Sequence, residues 1–219
     1  MLERLEIEPR GAARGTVIWL HGLGADGHDF EPLVRQWGLA DELSVRFVLP
    51  HAPVQPVTIN AGARMRAWYD IYDLDFVNRE DEPGIERAHR QLLALIESEK
   101  QRGIDSARIL LAGFSQGGAV ALHTGLRYAE PLAGVLALSC YLPLRQLLAG
   151  QKRADPAGLV VRMDHGLHDS VVPYRAAQES LACMRAEGFE VDFHSYPMDH
   201  SLCPEQADSL RGWLAGRLA

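Results

Sequence analysis

The chain has 219 residues, 47% of them hydrophobic, and a formal net charge of −7 at pH 7 with histidine neutral. That length and composition suit one large α/β domain with a substantial core. The acidic balance and the lack of a basic cluster argue against nucleic acid and anionic membrane surfaces as partners, and no apolar run is long enough to span a bilayer.

The opening residues, Met1 to Glu6, are charged and lack a signal-peptide core, so the expected compartment is the cytoplasm. Leu2, Leu5 and Ile7 suggest an imperfect edge strand, followed by a turn over residues 10–15. Thr16 to Leu20 is short, apolar and continuous, as a buried strand should be. A glycine-rich loop, His21-Gly22-Leu23-Gly24, follows it, and a helix is expected from Phe30 to about Leu39. Val45 to Leu49 reads as the next strand, closed by Pro50. Residues 50–83 read as a long irregular stretch, and a loop of that length inside a compact domain is usually functional. Within it Trp68 is a candidate substrate contact, with a core role as its alternative. Ile85, Ala88, Leu92, Leu95 and Ile96 repeat at helical spacing up to Gly103.

Ile109 to Ala112 reads as a buried strand, and a small-residue helix starts at Gln116. Between them Gly113-Phe114-Ser115-Gln116-Gly117 fits G-x-S-x-G, a nucleophile elbow. A strand turning sharply into a helix strains the turn residue and crowds the positions two before and two after it, hence the glycines. The hydroxyl is then presented at a helix N-terminus, where free N–H groups favour developing negative charge. A glycine-rich turn with an ordinary N-cap serine would spell the same letters; the flanking strand and helix favour the nucleophile. Further strands are expected at Leu132–Leu138, Leu159–Met163 and Val191–Tyr196, with helices over Tyr174–Glu187 and Pro204–Leu218. Strands alternating with helices imply a mostly parallel sheet covered on both faces, and residues 1–219 are read as a single domain.

In such sheets the chemistry gathers at the carboxyl ends of the strands. There the chain offers Ser115, then Asp164 or Asp169 after the Leu159–Met163 strand, then His200 after the last one. The order Ser, Asp, His is that of the α/β hydrolases. His200 is read as the base that activates Ser115, and Asp169 as the acid that orients it, since it lies further out in its loop than Asp164. The Gln116 N–H, next to the nucleophile, is the first oxyanion donor, and the Leu23 N–H, on the loop after the first core strand, is the second. The other eight histidines are assigned to structural roles. His165, His168 and Asp169 form H-x-x-H-D, which has no helix, second cluster or standard spacing, so no metal is expected. Cys140, Cys183 and Cys203 are odd in number and far apart, without C-x-x-C, so neither a disulfide framework nor a zinc site is expected.

With these residues in place, the chain resembles the carboxylesterase / acyl-protein thioesterase group, the phospholipase/carboxylesterase family of α/β hydrolases. The matching stretches run nearly end to end. They include His21-Gly22-Leu23-Gly24, Met65 with Trp68-Tyr69-Asp70, Gly113 through Ala119, Tyr141-Leu142-Pro143, His165-Gly166 with Asp169 and Val171-Val172-Pro173, and His200-Ser201. The resemblance implies an α/β-hydrolase fold without a large cap domain, a Ser115/Asp169/His200 triad and oxyanion amides on Leu23 and Gln116. It implies a carboxylesterase acting on short- to medium-chain acyl esters, with thioesters also open to the same chemistry. Acyl-protein thioesterase and lysophospholipase are the alternatives within the family; a peptidase or a non-catalytic binding module is a weaker one. No cofactor is expected. The expected partner is a small-molecule acyl ester or thioester, and a homodimer is the one assembly left open.

Overall fold

The computed structural model describes residues 2–73 and 79–219. A seven-stranded sheet runs through it in the order β1-β3-β2-β6-β7-β8-β9. The strands are β1 (Arg4–Ile7), β2 (Gly15–Leu20), β3 (Val45–Pro50), β6 (Ile109–Phe114), β7 (Gly134–Leu138), β8 (Val161–Gly166) and β9 (Val191–Tyr196). Only the edge strand β1 runs antiparallel, against β3; the other pairings are parallel. Parallel neighbours need crossover connections, and helices supply them on both faces.

Side chains alternate across a strand, so each apolar run feeds two cores. In β2, Ile18 and Leu20 face one layer with Leu111 of β6 and the apolar stripe of α3 (Glu82–Gln101). Val17 and Trp19 face the other, with Leu110 and Ala112 of β6, Val34 of α1 (Glu31–Trp37) and Leu214 of α7 (Pro204–Leu218). This is why the central strands β2, β6 and β7 are almost wholly apolar: both faces are covered. The first layer also holds α4 (Gln116–Gly125), buried along its whole length, and Ala177 and Met184 of α6 (Tyr174–Ala186).

Three expectations are corrected. The helix expected from Phe30 to Leu39 is two, α1 and α2 (Leu39–Leu43), because Gly38 takes a left-handed φ of 67° and ends the first. The stretch 50–83 holds a two-stranded antiparallel hairpin, β4 (Val54–Val57) with β5 (Ala63–Arg66), where an irregular loop was expected; residues 74–78 of it lie outside the described residues. The strand expected at Leu159–Met163 starts at Val161 and runs on to Gly166, its last residues still paired with β9. Asp164 and His165 are therefore strand residues. A short helix, α5 (Leu148–Gln151), was not anticipated. Among the described residues no cap domain covers the carboxyl ends of the strands, and no helix is long and apolar enough to cross a membrane.

Candidate active site

Ser115 sits between the end of β6 and the first residue of α4, with φ 54° and ψ −122°. No L-residue adopts that backbone freely, and such strain costs about 1–3 kcal/mol. The surroundings hold it there. The Ser115 N–H donates to the Leu138 carbonyl at 2.8 Å, and its own carbonyl accepts from the Ala119 N–H at 3.0 Å. The glycines around it have no room for a side chain. A Cβ on Gly113 would lie 2.4 Å from the Gly117 backbone, and one on Gly117 would lie 2.4 Å from the Leu20 carbonyl oxygen and 2.5 Å from that of His21.

The Ser115 Oγ is 2.9 Å from His200 Nε2, and His200 Nδ1 is 2.7 Å from Asp169 Oδ2. Three loops bring these atoms together: the elbow, the loop after β8 and the loop after β9. Asp169 is held from its other side, where Oδ1 accepts the N–H groups of Val171 at 2.9 Å and Val172 at 2.8 Å. Burial pulls the Asp169 carboxyl up. The His200 hydrogen bond and charge and the two backbone N–H donors outweigh it, so the net shift is down and the group stays ionised. His165 lies beneath this loop, fully buried, and its Nε2–H donates to the Val172 carbonyl at 2.8 Å. Burial lowers its basicity, and it stays neutral beside the carboxylate.

Asp164, the rival acid, does not reach His200. It is fully buried and receives the Arg162 guanidinium through two hydrogen bonds of 2.8 and 3.0 Å. The loop after β2 approaches the elbow from the other side. His21 lies at its base with Nε2 accepting the Ala52 N–H at 3.0 Å, so the proton is on Nδ1 and goes to the Gly22 carbonyl at 2.7 Å. Burial lowers the His21 pKa to about 4, which keeps that tautomer neutral. Gly24 turns the loop with φ 79°. Leu23 and Gln116 both border the space beside Ser115. The Gln116 N–H is at the first position of α4 and has no intrahelical acceptor. Among the described residues no backbone acceptor takes the Leu23 N–H.

Beside Ser115 is a cavity of about 170 Å³ whose walls are mostly apolar. Tyr69 and Tyr141 line it, with Ile71, Val171 and Val172. Trp68, the candidate substrate contact, is 2% exposed and is not among the lining residues; its indole N–H donates to the His21 carbonyl at 2.9 Å. Its neighbour Tyr69 takes the lining position instead. Both side chains are buried in the same core layer, and only Tyr69 also borders the cavity. Sequence reading missed Tyr141 as well, although its place just after the carboxyl end of β7 is a signal of the kind that singled out the other site residues. The Gln116 side chain ties these parts together, its Oε1 accepting the Trp68 N–H at 2.8 Å and its Nε2 donating to the Tyr69 carbonyl at 2.7 Å. Among the described residues no group of His, Cys, Asp and Glu is arranged to hold a metal ion.

Comparison with known proteins shows the family. The profile described as phospholipase/carboxylesterase matches residues 4–216. The acyl-protein thioesterase 1 of Mycosarcoma maydis is 39% identical over 231 positions, covering 98% of this chain and 96% of the relative. That of Neurospora crassa is 40% identical over 212 positions, covering 93% and 86%. The crystal structure of Zea mays acyl-protein thioesterase 2 superposes with a TM-score of 0.87 at 27% identity, with both chains fully covered. A profile match over almost the whole chain, relatives near 40% identity and a shared fold lead to one conclusion: the chain belongs to the phospholipase/carboxylesterase family of α/β hydrolases, and is an enzyme of the serine-hydrolase class.

Proposed function

We propose that this protein is a carboxylesterase that hydrolyses short- to medium-chain acyl esters through an acyl-enzyme on Ser115. The observation that carries the reading is the unbroken relay from Ser115 Oγ to His200 Nε2 and from His200 Nδ1 to Asp169, at 2.9 and 2.7 Å. His200 accepts the Ser115 proton as the oxygen attacks the acyl carbon. Asp169, anionic, holds the imidazole in the tautomer that leaves Nε2 free and stabilises the imidazolium. The Leu23 and Gln116 N–H groups receive the charge that builds on the carbonyl oxygen, where each such donor is worth about 10²–10³ in turnover. His200 then passes its proton to the departing alcohol, and water repeats the sequence to free the acid. A thiol leaving group needs no other residue, and the relatives named acyl-protein thioesterases make thioesters the first alternative series to try. We place the reaction in one domain, in the cytoplasm and without a cofactor.

Two measurements test this. Incubation with a fluorophosphonate should add one phosphonyl group, on Ser115, as read by peptide mass spectrometry. A panel of acyl esters, acyl thioesters and peptide amides should give turnover on the first two. Labelling elsewhere than Ser115, or turnover confined to amides, would overturn the proposal.

A further inference from the structure

The cavity beside Ser115 has a mouth and a floor. Val171 is 45% exposed at the mouth, and Asn60 is also exposed there. Tyr69 and Tyr141 are the inner end, 2% and 7% exposed. Their hydroxyls meet at 3.2 Å. Burial pushes both phenols upward in pKa, so both keep their protons. The two rings come from different parts of the fold, and both are anchored. Tyr69 is fixed to the elbow through the Gln116 side chain. Tyr141 follows β7, and the next residue's N–H donates to the Ser180 hydroxyl of α6 at 2.8 Å. A second, smaller space shares Tyr69 and Tyr141 with the cavity and is bordered by the charged side chains of Asp70, Asp73, Arg79 and Asp81 and by Glu80.

We propose that the Tyr69–Tyr141 hydroxyl pair is the end wall of the acyl pocket and restricts this enzyme to short acyl chains. The proposal rests on the esterase reading above. An acyl-enzyme keeps the acyl group while the alcohol leaves and water enters. Among the described residues the cavity beside Ser115 is apolar and ends on the buried Tyr69 and Tyr141, which suits the group that stays, and its exposed side suits the group that departs. At about 170 Å³ the cavity is well below the ~300–1,000 Å³ of pockets that take drug-sized ligands. A longer chain must separate the two rings, break the hydroxyl–hydroxyl bond in a buried place, and push its apolar end toward polar and charged groups. Each of these opposes binding.

The test is kcat/KM on 4-nitrophenyl esters from acetate to decanoate, read as the ratio of decanoate to acetate within each protein so that changes in overall rate cancel. In the wild type kcat/KM should peak at or below hexanoate and fall at least tenfold by decanoate. Tyr141→Ala should raise the decanoate-to-acetate ratio at least tenfold. Tyr141→Leu, which keeps more bulk, should raise it less and guards against a variant that fails to fold. A wild type that cleaves decanoate as well as butanoate overturns the wall, and so does a ratio that stays within threefold of wild type in the folded variants. A parallel series of alkyl acetates checks the assignment of the pocket: if the alcohol chain, rather than the acyl chain, becomes longer-tolerated in Tyr141→Ala, the pocket holds the leaving group and the proposal fails. No turnover on any ester or thioester would instead strike the esterase reading, and the wall with it.

Discussion

Ser115 and the glycines around it are one steric unit. Gly117→Ala puts a methyl group against two backbone carbonyls at the end of β2, atoms that cannot swing aside. Overpacking of that kind costs about 1–3 kcal/mol or more, and here it also displaces the elbow. Gly117→Ala should lower the urea midpoint and reduce turnover together. The two acidic residues separate by effect. Asp169→Asn should cost about 10⁴-fold in kcat with little loss of stability, because the amide presents the wrong partner to His200. Asp164→Asn should do the reverse, since it leaves the buried Arg162 with a broken ion pair, a change that typically costs about 3–5 kcal/mol. Urea melts and kcat on both variants check this; the larger kcat loss at Asp164 would reverse the assignment. The elbow was legible because Gly113, Ser115 and Gly117 solve a local steric problem within five residues. The cavity floor was not: Tyr69 and Tyr141 are separated by 72 positions, and only the fold brings their hydroxyls together.

Element boundaries failed where the buried pattern is polar or the strand is half exposed. Arg162 and Asp164 break the apolar run of β8, yet both are buried because they neutralise each other. Hydropathy therefore ends the strand early, and pairing with β9 carries it to Gly166. The β4–β5 hairpin includes Pro56, Arg64 and Arg66, and its exposed faces show no alternation to read. Gly38 was the visible sign of the break between α1 and α2, and the continuing apolar residues concealed it. The start of α3 offers a prediction at this scale. Asp81 caps the helix by accepting the Gly84 N–H at 3.1 Å and also accepts the Asp70 N–H at 2.9 Å. Loss of an N-cap costs about 0.5–2 kcal/mol, and an abandoned N–H adds to it. Asp81→Ala should therefore destabilise the protein by about 1–3 kcal/mol in urea denaturation; a change below about 0.3 kcal/mol would contradict the capping role.

Across the whole molecule, buried titratable groups set how stability follows pH. Burial holds His21 near a pKa of about 4 and His123 near about 3. The unfolded chain protonates both histidines below about 6.5 when the folded chain does not. Their stabilising contribution is present above that value and is lost as pH falls toward the folded values. Glu80 acts in the opposite sense. Burial raises its carboxyl to about 7, against the Leu144 N–H that it accepts. Between about 4.5 and 7 the folded chain holds a proton that the unfolded chain releases, so this group lowers stability as pH rises through that window. Glu80→Gln keeps an oxygen for Leu144 and removes the titration. Its stability relative to wild type should rise from pH 4.5 to 7 and level off above, measured by urea melts across that range. A constant difference would remove Glu80 from the account. The parallel sheet and its covering layers were legible in the alternation of apolar runs; which buried groups hold or lose protons depends on neighbours that only the folded chain supplies.

The central claim is that Ser115 is the atom that takes the acyl group, and the most direct measurement is the kcat of purified Ser115→Ala on an activated short-chain ester. Alanine leaves the elbow glycines in place and removes only the hydroxyl. The account predicts a loss of at least about 10⁴-fold with an unfolding free energy from urea melts within about 1 kcal/mol of wild type. Turnover within tenfold of wild type from the folded variant would contradict it.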